Sequence, residues 1–353
     1  MLTRRHLLAG AAALTAGVSE AGAQSTYASQ PIHILVGYAA GGGVDIVARL
    51  LQEPMKSALG QPIVIENRTG ASAMLATGAV AKAQPDGYTL LACASGEVAI
   101  NHFLFKERMS YDPAKELVPI ALIGIVPCVV VVAAATPVHN PKELIDYARA
   151  NSGKLSFSSS GIGNPQQLAG ELMNSMAGIQ VLHVPYRGSA PAVTDVATGA
   201  VTMSFSSLAA ALPLISAGNL RAVAVTSRER MPQLPDVAPL SEGAPGLAGY
   251  ELLNWFAMFG TAGTPPEIVE RLNGIVNAAL KDPAIADKLL PQGIVPKPMK
   301  GFRTHEIRKD RRAGQYQIEQ LIPFRCIISQ RQKMLRRGGH HERQGEYAGR
   351  KAG

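Results

Sequence analysis

The sequence predicts an α/β fold with mostly parallel sheets and about two domains. Three observations carry this. Short β-branched runs alternate with longer stretches of helical periodicity from residue 31 to about 290, the pattern of strand–helix units. Pro and Gly gather at the joints between them, where turns are needed. The chain has 353 residues, and roughly 150 residues per domain allows about two. In order, segments 32–36, 63–66, 89–92, 129–133, 155–158, 181–185, 201–205 and 221–226 read as buried strands. Between them, Val44, Val47, Ala48 and Leu51 recur at helical spacing, as do Leu168, Leu172 and Met176, then Ile268, Leu272, Ile275 and Val276. The joints include Gln84-Pro85-Asp86-Gly87 and Thr264-Pro265-Pro266, where Pro266 suits the first turn of a helix.

Composition narrows the function. Hydrophobic residues make up 47% and charged residues 17%, a globular balance that excludes wholesale disorder. The net charge of +8 is local. Residues 301–353 hold 13 Lys+Arg and 5 Asp+Glu, which leaves 21 of each sign in residues 1–300. The body is neutral, so no nucleic-acid partner is expected. At the start, Arg4 and Arg5 precede an apolar run from Leu7 to Val18, and Ala21-Gly22-Ala23 fits a cleavage site. Residues 1–23 therefore read as a signal peptide for export to the periplasm, by the general secretory or the twin-arginine route. The apolar run is shorter than the ~20 residues that span a bilayer. Three cysteines give no disulfide framework. Cys93 and Cys128 read as small buried hydrophobes and Cys326 belongs to the basic tail. No metal-ligand spacing is present, and no cofactor is expected.

Two segments show the same device. Val36-Gly37-Tyr38-Ala39-Ala40-Gly41-Gly42-Gly43-Val44-Asp45 takes a buried strand through a glycine run into an amphipathic helix. Glycines let backbone N–H groups crowd a ligand, and a helix start adds unpaired donors and positive dipole. Phe157-Ser158-Ser159-Ser160-Gly161-Ile162-Gly163-Asn164-Pro165-Gln166 repeats the arrangement with hydroxyls added. Both suit an anion, although tight β–α turns favour the same residues.

Enzyme motifs are missing. The glycine run has Ile46 where a dinucleotide fingerprint needs its last glycine, and no lysine completes a P-loop. The serine cluster lacks the frame of a nucleophile elbow. His33, His102, His139 and His183 are scattered without an evident carboxylate and read as structural, while Arg68 and Arg187 are weaker candidates for carboxylate clamps. The rival to a binding protein is an exported hydrolase or transferase using serines 158–160.

Seven segments in order resemble the substrate-binding proteins of tripartite tricarboxylate transporters, the Bug-type family. They are Gly-Tyr-Ala-Ala-Gly-Gly-Gly-Val-Asp-Ile-Val-Ala-Arg (37–49), Val-Ile-Glu-Asn-Arg-Thr-Gly-Ala (64–71), Pro-Asp-Gly-Tyr-Thr-Leu-Leu (85–91) and Ser-Ser-Gly-Ile-Gly-Asn-Pro-Gln-Gln-Leu-Ala-Gly-Glu-Leu (159–172). Val-Pro-Tyr-Arg-Gly (184–188), Leu-Arg-Ala-Val-Ala-Val-Thr (220–226) and Gly-Thr-Pro-Pro-Glu-Ile-Val (263–269) complete the set. The resemblance implies a periplasmic-binding-protein-like fold: two α/β domains joined by crossing strands, with a ligand cleft between them. Domain 1 would comprise 24–126 plus 250–303 and domain 2 would comprise 127–249. It implies a non-enzymatic receptor, expected to be monomeric, that holds a small organic acid and serves a two-component membrane permease or a sensor protein. The implied ligand-binding residues are Tyr38, Gly41, Gly42, Gly43 and Asp45 on one side, and Ser160, Gly161, Asn164 and Ser206 on the other.

The sequence departs from that family at four places. Val44 replaces a usual threonine, the stretch 71–75 lacks a usual glycine pair, and Ser206 replaces a common aspartate. From 304 to 353 the family-like helix gives way to a basic stretch without apolar period. A change of reading frame and a disordered tail are the expectation there.

Overall fold

The computed structural model describes residues 27–105 and 107–299. The signal segment 1–23, the tail 304–353 and Cys326 lie outside the described residues.

Two sheets share one strand. β1 (Ile32–Val36), β2 (Ile63–Asn67) and β3 (Thr89–Ala94) are parallel neighbours. They are linked by helix α1 (Gly43–Leu59), then by the turn Ala71–Ala73 and helix α2 (Met74–Ala81). After the turn Gly96–Ile100 and the short helices α3 (Asn101–Leu104) and α4 (Pro113–Glu116) comes β4, a 17-residue strand over Leu117–Ala133. The second sheet adds β5 (Ser156–Ser159), β6 (Leu182–Pro185), β7 (Met203–Ser207) and β8 (Leu220–Val225). Its helices are α5 (Pro141–Ala150), α6 (Pro165–Ala177), α7 (Ser189–Ala197) and α8 (Leu208–Ser216). The chain then returns through β9 (Leu253–Thr261), α9 (Pro266–Lys281), α10 (Pro283–Leu289) and β10 (Val295–Pro296).

β4 changes partners midway. From Leu117 to Pro127 it pairs with β9, and from Cys128 to Ala133 with β7 and β8. One strand thus ties the first lobe (β2-β1-β3-β9-β4) to the second (β8-β4-β7-β5-β6). The sheets are less parallel than the sequence predicts. β4 runs antiparallel to β7, β8, β9 and β10, and β9 runs antiparallel to β3. Sequence reasoning finds only the end of β4, as segment 129–133. The strand accommodates Pro119 at a register shift, where a missing N–H breaks no ladder bond.

Each sheet is covered on both faces, which explains strands that are apolar at every position. Ile32, Ile34 and Val36 pack with Val47, Leu51, Leu272 and Val276 of α1 and α9. Leu35, Leu91 and Cys93 pack on the other side with Val80, Trp255 and Phe259. In β4, Val130 and Val132 join Phe157 and Phe205, whereas Val129 and Val131 join Leu208 and Val225. Each such side chain contributes about 1.5–3 kcal/mol on burial. Cys93 and Cys128 are buried free thiols. Among the described residues no helix is long and apolar enough to cross a membrane.

Candidate functional site

The carboxyl ends of the parallel strands face each other across the junction of the lobes. In the first lobe β1 runs into the glycine loop, and Asp45 braces it. The Asp45 carboxylate is 2% exposed. It accepts the Gly41 N–H, Arg49 Nε and Asn67 Nδ2, each at 2.9 Å. Burial alone would raise this carboxyl, but those bonds, led by that from Arg49, hold it below its ordinary value. Gly41 has φ +77°, a conformation that disfavours any side chain. At Gly43 a Cβ would lie 2.9 Å from the Phe256 ring and 3.0 Å from Ser207 Oγ.

The lobes touch through backbone. The Ala39 N–H donates to the Arg187 carbonyl at 3.0 Å. A Cβ on Gly188 would stand 2.8 Å from Ala39 N, so this approach requires glycine there. Between the lobes lies a cavity of about 20 Å³ lined by Tyr38, Gly42, Gly43, Val44 and Ala94 on one side, with Asn254 and Phe256 from β9. Ser160, Gln166, Ser189 and Ser207 line the other. That volume holds about one water-sized sphere.

Three helices begin at this cavity without a side-chain cap. They are α1 after Gly42, α7 after Gly188 and α8 after Ser207. Their first N–H groups and positive dipole ends are therefore available. Ser207 Oγ is buried without a hydrogen-bond partner, which costs about 1–3 kcal/mol until an acceptor arrives. Asn254 spends its amide oxygen on Ser95 Oγ (3.0 Å) and the Trp255 N–H (2.8 Å), leaving its NH2 group to donate. No charged side chain lines the cavity.

Tyr38, Gly42, Gly43 and Ser160 are thus in the wall. Gly41 and Asp45 lie one layer back as the loop's brace. In the second lobe, Asn164 caps α6 through the Gln167 N–H (3.0 Å) and donates to Ser160 Oγ (2.9 Å). The Gly161 N–H is turned to Ser159 Oγ at 3.3 Å. Ser206 points elsewhere: its hydroxyl donates to the Ser207 carbonyl (3.2 Å), and the hydroxyl in the wall is that of Ser207. Gln166, Ser189, Ser207, Asn254 and Phe256 are wall residues that sequence reasoning passed over. Gln166 closes the serine loop itself and Ser207 adjoins Ser206. Asn254 carried no signal because β9 itself went unrecognised.

Serines 158 and 159 are buried and engaged within their own lobe. Ser159 is fully buried, donates to the Gly161 carbonyl (2.8 Å), and its Oγ lies 2.7 Å from His183 Nε2. Ser158 Oγ donates to the Ala192 carbonyl. Two histidines do have carboxylate neighbours, contrary to the sequence expectation: His33 with Glu66 at 2.6 Å and His139 with Glu143 at 3.0 Å. Both pairs are part-exposed and away from the cavity wall, as is Arg68, which pairs with Glu66. Among the described residues, no group of three His, Cys, Asp or Glu side chains is placed to hold a metal.

The chain is similar to known proteins along most of its length. The family described as "Tripartite tricarboxylate transporter family receptor" matches residues 47–321. A Pseudomonas protein, "UPF0065 protein in tcbD-tcbE intergenic region", is 40% identical over 292 residues, covering 82% of this chain and 86% of its own. Protein BugT of Bordetella pertussis is 32% identical over 313 residues, covering 87% and 95%. Among solved structures, Rpa4515 of R. palustris with adipate superposes at TM-score 0.78 with 34% identity, covering 84% of this chain and 97% of that one. MatC of Rhodopseudomonas palustris with bound malate gives 0.74 with 29% identity, covering 86% and 100%.

Proposed function

Because the chain belongs to the tripartite tricarboxylate transporter family of receptors, we propose that it is a periplasmic receptor whose cleft captures a small organic acid by its carboxylate. The observation that supports this best is the convergence of three uncapped helix starts and an unpartnered Ser207 hydroxyl on one cavity without a charged wall. Such a wall favours negative charge through donors alone. A hydrogen bond to a charged group is worth about 1.5–3 kcal/mol net. Four or five roughly match the ~8 kcal/mol of a micromolar complex once ordering costs are subtracted.

The cavity in this arrangement is too small for a dicarboxylate. Loading therefore parts the lobes, with β4 and β9 bending near Pro127 and Leu253, where β4 changes partners. The ligand touches both lobes only when they meet, so it favours the closed form. Carboxylate ligands of two relatives, adipate and malate, support the chemical class. Delivery to a membrane permease or a sensor, action as a monomer and export through residues 1–23 belong to the same reading.

A thermal-shift screen of adipate, malate and succinate, each paired with its diamide, tests it. A ligand at a hundred times its dissociation constant adds about 2.7 kcal/mol, a shift of several degrees. A shift with an acid and none with its amide is expected. Equal shifts from acid and amide, or hydrolysis of the amide, would count against it.

A further inference from the structure

Behind the cleft wall of the first lobe lies a carboxyl group that the receptor reading does not employ. Glu97 sits in the turn Gly96–Ile100 and is 0% exposed. Its Oε2 accepts the Tyr38 hydroxyl at 2.6 Å and its Oε1 accepts the Ala94 N–H at 3.0 Å. Tyr38 and Ala94 both line the cavity. The carboxyl therefore stands one residue behind the surface that an anion would touch.

The surroundings of Glu97 supply no positive charge to its carboxyl. Tyr38 faces it from the glycine loop, Cys93 from β3 and Tyr111 from the segment before α4, whose hydroxyl donates to the Glu97 carbonyl at 2.7 Å. Burial holds all three well above their ordinary values, hence neutral near pH 7. The helices packed on the same turn bring His102, Lys115 and Glu116, and Lys115 is spent on Asp112 at 3.3 Å. The turn Ala71–Ala73 and α2, also packed there, carry no titratable side chain.

We propose that Glu97 makes anion capture proton-linked: the cleft closes on a carboxylate with the Glu97 carboxyl neutral, taking up one proton per ligand whenever that group begins ionised. This rests on the carboxylate reading above. An ionised Glu97 would set a like charge against the ligand across one wall, and two nearby carboxylates disfavour double ionisation. Once neutral, the carboxyl can itself donate to Tyr38 Oη and release the phenol hydrogen from its bond. The proton comes from water as the ligand binds and returns to water as it leaves. Burial already pushes this carboxyl up to about 7, which puts the linkage in the neutral range.

Calorimetric titration of adipate into the full chain, in two buffers of different ionisation enthalpy, counts the protons. At pH 8.5 close to one proton should be taken up per adipate, and at pH 6.5 well under half. Affinity should weaken by about tenfold per unit as pH rises above 7, until the coupling is exhausted. Glu97→Gln, which keeps the size of the side chain, should abolish both effects. Binding without proton uptake or pH dependence would overturn the role of Glu97 and leave the carboxylate reading intact. The same uptake in Glu97→Gln would place the proton elsewhere and overturn it too. No binding of adipate, malate or succinate at either pH, in either protein, would sink the carboxylate reading and this inference with it. Absence of uptake by the unaltered chain overturns the proposal even where the variant does not fold.

Discussion

The two lobes build their halves of the cleft wall differently. Behind the first lobe's wall stand two buried carboxyl groups, Asp45 and Glu97. In the second lobe amides brace the loop: Gln166 accepts the Ser160 N–H at 2.8 Å and donates to Ser189 Oγ at 2.8 Å, while Gln167 accepts the Gly163 N–H at 2.7 Å. The two loops look alike in sequence, yet the serine loop spends its N–H groups on its own side chains and its helix α6 is capped. The free donors of the second lobe come instead from α7 and α8. A glycine–serine loop before a helix is thus an anion site only where nothing local has already claimed its donors. The first lobe braces its loop with a carboxylate, and the second with amides.

The largest effect expected from that contrast is on stability against pH. Glu97 has a folded value near 7, raised by burial from 4.5. The unfolded chain therefore gives up this proton more readily than the folded chain. Stability falls as pH rises from about 4.5 to 7, by about 3 kcal/mol at roughly 1.4 kcal/mol per unit. Glu97→Gln should recover most of this at pH 8 and little at pH 4.5, as measured by urea unfolding at both pH values. Asp45 has the opposite sign. Its folded value is depressed, so its stabilisation is complete above its unfolded value near 3.8 and fades as pH falls through the folded one. Asp45→Ala leaves the Gly41 N–H and Asn67 without their acceptor and should cost ~2.5 kcal/mol. In the same unfolding experiment Gln166→Ala, which removes a neutral brace, should cost about 1 kcal/mol. Equal costs would break the contrast.

Binding sharpens the comparison within the second lobe. Ser207→Ala removes an unengaged hydroxyl beside an uncapped helix start and should weaken carboxylate binding by about 2 kcal/mol, roughly thirtyfold. Ser160→Ala removes a hydroxyl that accepts from Asn164 but keeps its own hydrogen to donate. Because it stands before the capped helix α6 rather than an uncapped start, it should cost less, about 1 kcal/mol or roughly fivefold. Titration of both variants with the same dicarboxylate checks the ranking. A larger loss at Ser160 would return the donor role to the serine loop.

How much of this the sequence reveals follows from the range of each interaction. Strands 32–36 and 89–92, the helix through Val44 and Leu51, and the Pro266 helix start are written in local pattern. The glycine loop is too, because φ +77° at Gly41 and the crowding at Gly43 admit little else. Ser206 and Ser207 show the limit. A strand alternates its faces, so an error of one residue in register selects the wrong hydroxyl. Asn254 and Glu97 enter the site by tertiary contact from elements with no local motif. Only the fold reveals that Glu97 has neutral partners alone.

The last difference between the lobes concerns backbone rather than charge. Where the second lobe's loop needs left-handed backbone it uses glycine, as at Gly163 with φ +76°. The first lobe's turn instead holds Ala71, Ser72 and Ala73 at φ +46°, +57° and +67°. Left-handed backbone costs a residue with a Cβ roughly 1–2 kcal/mol, whereas glycine loses ~0.5–1 kcal/mol more conformational freedom on folding. Ser72→Gly should therefore stabilise the protein by about 0.5–1 kcal/mol, and its carbonyl bond from Asn101 Nδ2 (3.0 Å) survives because it is made by the backbone. Ala73→Gly should gain less. Ala73 is 2% exposed and packs so tightly on Gly37 that a Cβ there would stand 2.4 Å from its own, and that packing would be lost. A thermal midpoint raised by Ser72→Gly above Ala73→Gly is the expected order. The reverse order would mean that the turn is held by contacts of the Ser72 side chain rather than by packing of the next residue against the glycine loop.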